Sequence, residues 1–136
     1  MSELEEKIEA RLVTWLKKNK IKYKKKAYGE LLDRWIFLPG GKLFIIELKR
    51  PEGYLKRRQE IEISVLRRLG YDIEVHDNEI EAIEAIGARL EATRLSKEGH
   101  EDDARKLLAR SLSRSRAREN KYHSRMRKTS NRKKND

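Results

Sequence analysis

The sequence predicts an α/β (α+β) fold in which helices pack on a mixed β-sheet. Apolar residues recur at helical spacing in three segments, two apolar runs are joined by a Gly-Gly turn, and another strand-like segment follows the middle helix. A strand–helix–strand unit favours parallel pairing, whereas a short turn favours antiparallel pairing, so we expect both kinds in one sheet. The predicted order of elements is α-β-β-β-α-β-α.

The first predicted helix spans residues 3–19, and an extended arm over residues 21–28 follows it. An apolar stripe at helical spacing indicates the helix; its members are Ile8, Leu12, Trp15 and Leu16. In the arm, Ile21 and Tyr23 alternate with lysines, which discourage edge-to-edge aggregation. We therefore expect the arm at an edge of the sheet.

A hairpin comes next, because the turn sequence Pro39-Gly40-Gly41-Lys42 joins strands predicted over residues 35–38 and 43–48. The second strand is apolar up to Glu47, which is typical of a central strand covered on both faces. A helix, a strand and a helix complete the core over residues 55–69, 71–75 and 78–90. The middle helix is expected to face the core with Ile61, Val65, Leu66 and Leu69.

Charge divides the chain into a core domain over residues 1–92 and a basic tail over residues 93–136. The first part carries 19 Lys+Arg and 17 Asp+Glu, and the second carries 15 and 6, which gives +2 and +9 of the net +11. Little beyond Ser111 can be buried, so we expect the tail to be partly helical or disordered. The charge fits a nucleic-acid partner, and a solvated tail without a partner explains it equally well.

Several classes of protein are excluded or disfavoured by composition. The chain has no cysteine, so disulfides, thiolate metal sites and cysteine nucleophiles are excluded. Its three histidines are far apart, which disfavours a zinc site. The acidic N-terminus does not resemble a signal peptide, and no apolar run approaches the ~20 residues of a membrane span. We expect a soluble cytoplasmic protein with no membrane partner.

Charged residues at the ends of the apolar strands are the candidate catalytic group. Residues i and i+2 of a strand project to the same side, so Glu47 and Lys49 project together. Asp33 precedes the partner strand of the hairpin and can approach Glu47, depending on the register. Two such carboxylates repel each other unless a cation lies between them, and Mg²⁺ prefers oxygen ligands. A surface ion pair at an ordinary strand end is the simpler interpretation of the same residues.

Other polar residues have two interpretations each. Gln59 opens the middle helix, where it is either an exposed glutamine or a partner for Lys49 or a phosphate. Glu9 lies beside the apolar face of the first helix, either paired with Lys or Arg or facing the same site. Basic residues of the arm and of the middle helix are candidates for phosphate contacts; they are Lys24, Lys25, Lys26, Lys56, Arg57 and Arg58.

Residues 3–90 resemble the VRR-NUC domain, the virus-type replication-repair branch of the PD-(D/E)XK nuclease superfamily. The resemblance is carried by Asp33, the Pro-Gly-Gly turn, Glu47-x-Lys49, Gln59 and the Leu-Gly at the end of the middle helix. It implies a PD-(D/E)XK restriction-endonuclease-like core. Small stand-alone members are often encoded by phages, which would place the protein in the host cytoplasm, and they often act as homodimers.

The resemblance also implies roles for individual residues. Asp33 and Glu47 bind Mg²⁺ or Mn²⁺, the carbonyl of Leu48 completes the metal shell, and Glu9 matches the helix-one glutamate. Lys49 positions or activates the attacking water, and Gln59 matches the family glutamine. We therefore expect a metal-dependent DNA endonuclease, acting on branched or junction DNA. The alternatives are a non-catalytic nucleic-acid-binding protein with the same fold, and a packaging protein that works through its basic tail.

Overall fold

The structure is a computed structural model that describes the backbone of residues 3–28 and 31–135 and the side chains of residues 4–25 and 34–123. Within this range the chain forms a mixed α/β fold of four helices and one four-stranded sheet. In chain order the elements are α1 (Glu3–Lys18), β1 (Lys22–Tyr28), β2 (Leu31–Leu38), β3 (Lys42–Leu48), α2 (Arg57–Arg68), β4 (Asp72–His76), α3 (Glu79–Lys97) and α4 (Glu101–Asn135). The predicted α/β class with a mixed sheet is confirmed, and α4 occupies most of the segment that was predicted to be a partly helical or disordered tail.

The sheet has the strand order β1-β2-β3-β4. Pairing is antiparallel between β1 and β2 and between β2 and β3, and it is parallel between β3 and β4, which α2 connects. The turn between β2 and β3 contains Gly40 and Gly41 with φ values of 80° and 70°. A glycine adopts such values without steric strain, so this turn sequence determines where the hairpin reverses.

Side chains of β3 reach two separate hydrophobic clusters, one on each face of the sheet. On the first face, Phe44, Ile46 and Leu48 pack with apolar residues of α1 and α3. On the second face, Ile45 packs with residues of α2, β4 and α4. Because β3 is covered on both faces, its almost continuous apolar sequence is explained.

The face that α2 presents to the sheet differs from the prediction. Its buried residues are Gln59 and Ile63, with Leu66 partly buried against the second cluster. Ile61, Val65 and Leu69, which were expected in the core, are 49%, 39% and 69% exposed. The prediction of the inward stripe was therefore wrong for these three residues. The helix is rotated so that a glutamine reaches the end of β3, a polar contact that apolar periodicity does not register.

The predicted boundary at residue 92 falls inside α3, and the segment after it is a helix that packs on the core. Ala104, Ser115, Glu119 and Tyr122 of α4 are buried. Expecting little burial beyond Ser111 was therefore wrong. One turn of α4 lies along β4, where Arg116 donates a hydrogen bond to the carbonyl of Ile73. This helix covers the outer edge of the sheet, an edge that would otherwise offer unpaired backbone groups to another chain.

Beneath α4 lies a buried polar cluster centred on Glu74 of β4. Ser115 Oγ donates to Glu74 Oε1 at 2.6 Å, and His76 Nε2 lies 2.9 Å from the same oxygen. Arg89 of α3 donates to Glu74 Oε2 at 2.5 Å and makes two hydrogen bonds to Asp72. Burial opposes ionisation of Glu74, but these hydrogen bonds and the charge of Arg89 outweigh it and lower its pKa to about 2. The cluster ties β4 to both α3 and α4.

Stability is expected to fall in acid because of Glu74. Its folded pKa lies below its ordinary value of 4.5, so its stabilisation is present above about pH 5 and is lost as the pH falls toward 2. The loss amounts to about 3 kcal/mol of unfolding free energy. Urea denaturation at several pH values between 2.5 and 7 measures the slope. Glu74→Gln should flatten it, whereas Glu84→Gln on the exposed side of α3 should not. An unchanged slope in Glu74→Gln would contradict the assignment.

No helix in the described part of the chain is both long enough and apolar enough to cross a membrane.

Candidate nuclease site

The candidate site lies at one end of the sheet, where β3 and β4 finish and β2 begins. The register pairs Asp33 directly opposite Glu47. Residues directly opposite in an antiparallel pair share a face, with Cβ atoms about 4.5–5.5 Å apart. Glu47 is only 3% exposed, a low value for a carboxylate. The Asp33 side chain itself lies outside the described residues, so the backbone register carries this pairing.

Lys49 lies beside Glu47, held by a side-chain contact with Gln59 and a backbone contact with His76. Its Nζ atom lies 3.9 Å from Glu47 Oε1 and donates a hydrogen bond of 2.9 Å to Gln59 Oε1. The backbone N–H of Lys49 donates to the carbonyl of His76, which continues the parallel pairing of β3 with β4. Strand geometry therefore places Glu47 and Lys49 on one face, as the sequence predicted.

Gln59 is the residue through which α2 contacts the site. Its Oε1 atom accepts hydrogen bonds from Lys49 Nζ and from the backbone N–H of Lys56, at 2.9 and 3.0 Å. The second bond satisfies an otherwise unpartnered donor at the start of α2. Gln59 is 6% exposed, so the interpretation as an exposed helix glutamine does not apply. The amide fixes the ammonium group of Lys49 relative to Glu47.

The two acidic residues paired by register at this end of the sheet carry the type of ligand that a hard divalent cation prefers. Two carboxylates on one face repel each other unless a cation lies between them. Among the side chains that the structure describes, no group of three or more Asp, Glu, His or Cys residues is arranged to hold a metal. Asp33 is outside that set. Leu48 lies between Glu47 and Lys49 with its side chain in the core, and its carbonyl as a ligand remains a prediction.

Glu9 lies near the first face of the sheet and has two cationic partners. Its Oε1 atom forms an ion pair with Arg34 and lies 3.2 Å from Lys25 Nζ. Arg34 is buried, and burial lowers the pKa of its guanidinium group. Glu47 projects toward the second face, where Gln59 lies. The pairing alternative for Glu9 is thus present in the structure, and metal binding by this residue remains a prediction.

Replacing Glu9 with glutamine separates these two roles. We expect a loss of about 3 kcal/mol in unfolding free energy, because Arg34 would keep its buried charge without its carboxylate partner. If Glu9 serves only as the partner of Arg34, Mn²⁺ affinity in calorimetric titration stays unchanged. Arg11→Ala is the control for general effects on α1. Arg11 lies on the same helix as Glu9, is exposed, and forms an ion pair with Glu79 of α3. A large drop in Mn²⁺ affinity for Glu9→Gln would instead make Glu9 a metal ligand.

The predicted phosphate-contacting residues fall into two groups around the site. Lys56, Arg57 and Arg58 are exposed at the start of α2, next to Gln59. Along β1, Lys24 is exposed and opposite Trp35, whereas Lys25 is opposite Arg34 and turns to the other face. Lys26 is opposite Asp33 by register, and its side chain lies outside the described residues. Positive charge therefore lies on two sides of Glu47.

Sequence reasoning missed an acidic residue at the same end of the sheet. Asp77 follows β4 directly and accepts hydrogen bonds from Lys121 Nζ at 2.6 Å and Asn78 Nδ2 at 3.0 Å. Burial opposes its ionisation, but these hydrogen bonds lower the pKa of Asp77. With Lys121 it lines an open groove of about 620 Å³ beside the Pro51–Gly53 loop. An acid directly after a buried strand was the available signal.

A second missed residue is Glu5, one turn before Glu9. Its Oε1 atom accepts a hydrogen bond from the backbone N–H of Arg50 at 3.2 Å, which brings the start of α1 to the end of β3. The spacing of four residues from Glu9 was visible in the sequence, but the apolar stripe of α1 gave no reason to prefer Glu5.

No family model, no curated protein and no solved structure matches this chain.

Proposed function

We propose that this chain is a metal-dependent DNA endonuclease with a PD-(D/E)XK-type core. The supporting observation is the cross-strand pairing of Asp33 with Glu47, beside a Lys49 ammonium group held by buried Gln59. An acid pair that can hold a divalent metal, with a lysine beside it, is one arrangement that can hydrolyse a phosphodiester bond. The order α1-β1-β2-β3-α2-β4 agrees with the core that the family resemblance implies.

Each residue has a proposed role in hydrolysis. Asp33 and Glu47 would hold Mg²⁺ or Mn²⁺, with the Leu48 carbonyl as a further oxygen ligand. The bound metal would polarise a phosphoryl oxygen and lower the pKa of a coordinated water. Lys49 would orient the attacking water and stabilise negative charge developing on the phosphate. Gln59 keeps Lys49 in place through the 2.9 Å hydrogen bond.

Positive residues around the site suit a polyanionic substrate. Lys56, Arg57 and Arg58 lie at the N-terminal end of α2, where the helix dipole also favours phosphate. Contacts of this kind bind the backbone independently of sequence. We therefore propose DNA whose shape, such as a branch or junction, determines where it is cut.

A cleavage panel tests the proposal. Linear, nicked and branched DNA are incubated with the full chain in Mg²⁺, in Mn²⁺ and in excess chelator, and Asp33→Asn serves as the site variant. We expect cutting within the strand only with metal, and none by Asp33→Asn. Calorimetric titration with Mn²⁺ is run in parallel. Normal DNA binding without metal binding or cleavage would favour the non-catalytic alternative.

A further inference from the structure

Among the residues whose side chains are described, helices cover only half of the second face of the sheet, and the open half begins beside the proposed catalytic residues. Helices α2 and α4 cover this face over β3 and β4, where Ile45, Ile73 and Tyr122 are buried. Over β1 and β2, the side chains that the structure describes leave the same face open. Phe37 is 41% exposed, and Lys22 and Lys24 are exposed.

The open half carries one aromatic row and one basic row. Register places Lys22 opposite Phe37 and Lys24 opposite Trp35, so each aromatic ring has a lysine as its cross-strand neighbour. Lys26 opposite Asp33 and Asp33 opposite Glu47 continue the same face. From Phe37 to Asp33 the strand advances roughly 13 Å. The aromatic row and the basic row therefore both end next to the Asp33–Glu47 pair.

An ordinary edge strand accounts for only part of this arrangement. Lysines on β1 protect an edge from aggregation, but they do not require aromatic neighbours. The ring of Trp35 packs against the second cluster and remains partly exposed, so its orientation is fixed. The exposure of the Phe37 ring is unfavourable for folding, because it leaves apolar surface in contact with water. Rigid aromatic groups flanked by cations are the elements that bind unpaired bases and their phosphates.

We propose that the open half of the second face binds a single-stranded DNA segment and directs it to the Asp33–Glu47 pair. Bases stack on Phe37 and on the exposed part of Trp35, and Lys22 and Lys24 contact the backbone phosphates. The inference builds on the proposed nuclease function in one respect, namely the direction of the strand toward Glu47. It narrows the substrate to DNA with an unpaired segment next to the cut, as at a flap or an open junction.

Binding is tested without cleavage, by fluorescence anisotropy of the full chain with a labelled 15-nucleotide thymidine oligomer in chelator. We expect tighter binding of this oligomer than of a 15-base-pair duplex. Phe37→Ala should weaken oligomer binding about tenfold, and Phe37→Tyr, which keeps a stacking ring, should restore it. Lys24→Ala should reduce the salt slope by about 0.7, as expected for one phosphate contact on a single strand.

Two control variants match these changes elsewhere on the surface. Tyr71→Ala removes a 48% exposed aromatic residue, and Lys42→Ala removes an exposed lysine that is opposite Leu38, a residue of the first face. Both should bind the oligomer like wild type. Wild-type binding by Phe37→Ala, or equal losses in the controls, would overturn the proposal. If the oligomer binds as expected but no DNA is cut with metal, the binding face stands and the nuclease function fails.

Discussion

Glu47→Gln is expected to reduce metal-dependent DNA cleavage by at least about 100-fold. The substitution keeps the size of a side chain that is 3% exposed, and it removes the negative charge that would bind the metal. A bound metal contributes several kcal/mol to stabilising the transition state, and each 1.36 kcal/mol is a factor of ten in rate. Lys49→Met should lower the rate to a similar degree while leaving Mn²⁺ affinity close to wild type. Initial cleavage rates and calorimetric titration measure the two effects.

A burial-matched control distinguishes loss of the site from general damage to the sheet. Glu74 is also a fully buried glutamate, on the strand next to β3, but it projects to the other face and contacts Arg89 and Ser115. Glu74→Gln should be less stable than wild type and should still cleave DNA when folded. Circular dichroism establishes folding of each variant. Metal-dependent cleavage that survives both Glu47→Gln and Lys49→Met would eliminate the proposed mechanism.

The sequence predicted the parts of the fold that are determined by residues close together along the chain. The hairpin follows from two glycines in a turn, and parallel pairing of β3 with β4 follows from an intervening helix. The placement of Glu47 with Lys49 follows from the two-residue period of a strand. The exact register of Asp33 opposite Glu47 did not follow, because it depends on how many residues the turn uses.

What the sequence did not predict depends on partners far along the chain. Ser115 looks like a tail residue until Glu74, 41 positions earlier, accepts its hydrogen bond. Arg67 and Glu119 are 52 positions apart and form a two-bond ion pair between α2 and α4. In the sequence Ser115, Arg67 and Glu119 are ordinary polar residues of helical segments, and only the tertiary arrangement makes the burial of Ser115 and Glu119 favourable. The composition of α4 therefore predicted a tail that is partly helical or disordered.

Tyr122→Ala is expected to destabilise the protein by about 3–5 kcal/mol, because α4 is part of the core. The ring is 1% exposed and packs with Ile45, Ile63 and Val75, so its removal leaves a cavity between three elements. Burial raises the pKa of Tyr122, and the charge of Asp77 and a hydrogen bond from the hydroxyl group to Asp77 raise it further. Tyr122→Phe keeps the ring and loses only that bond, and it should cost about 1 kcal/mol. Urea denaturation monitored by circular dichroism measures both values.

Comparison with a tyrosine on the surface and with two truncations makes the result specific to α4. Tyr71→Ala alters a 48% exposed ring and should change unfolding free energy by less than about 0.5 kcal/mol. Deleting residues 101–136 removes Ser115, Glu119 and Tyr122 together and uncovers the edge of β4, so it should destabilise at least as much as Tyr122→Ala and promote aggregation. Deleting only residues 124–136 retains every one of these contacts and should preserve the denaturation midpoint. If the longer deletion also preserved the midpoint, α4 would be a dispensable tail, and its basic residues would have to act through charge alone.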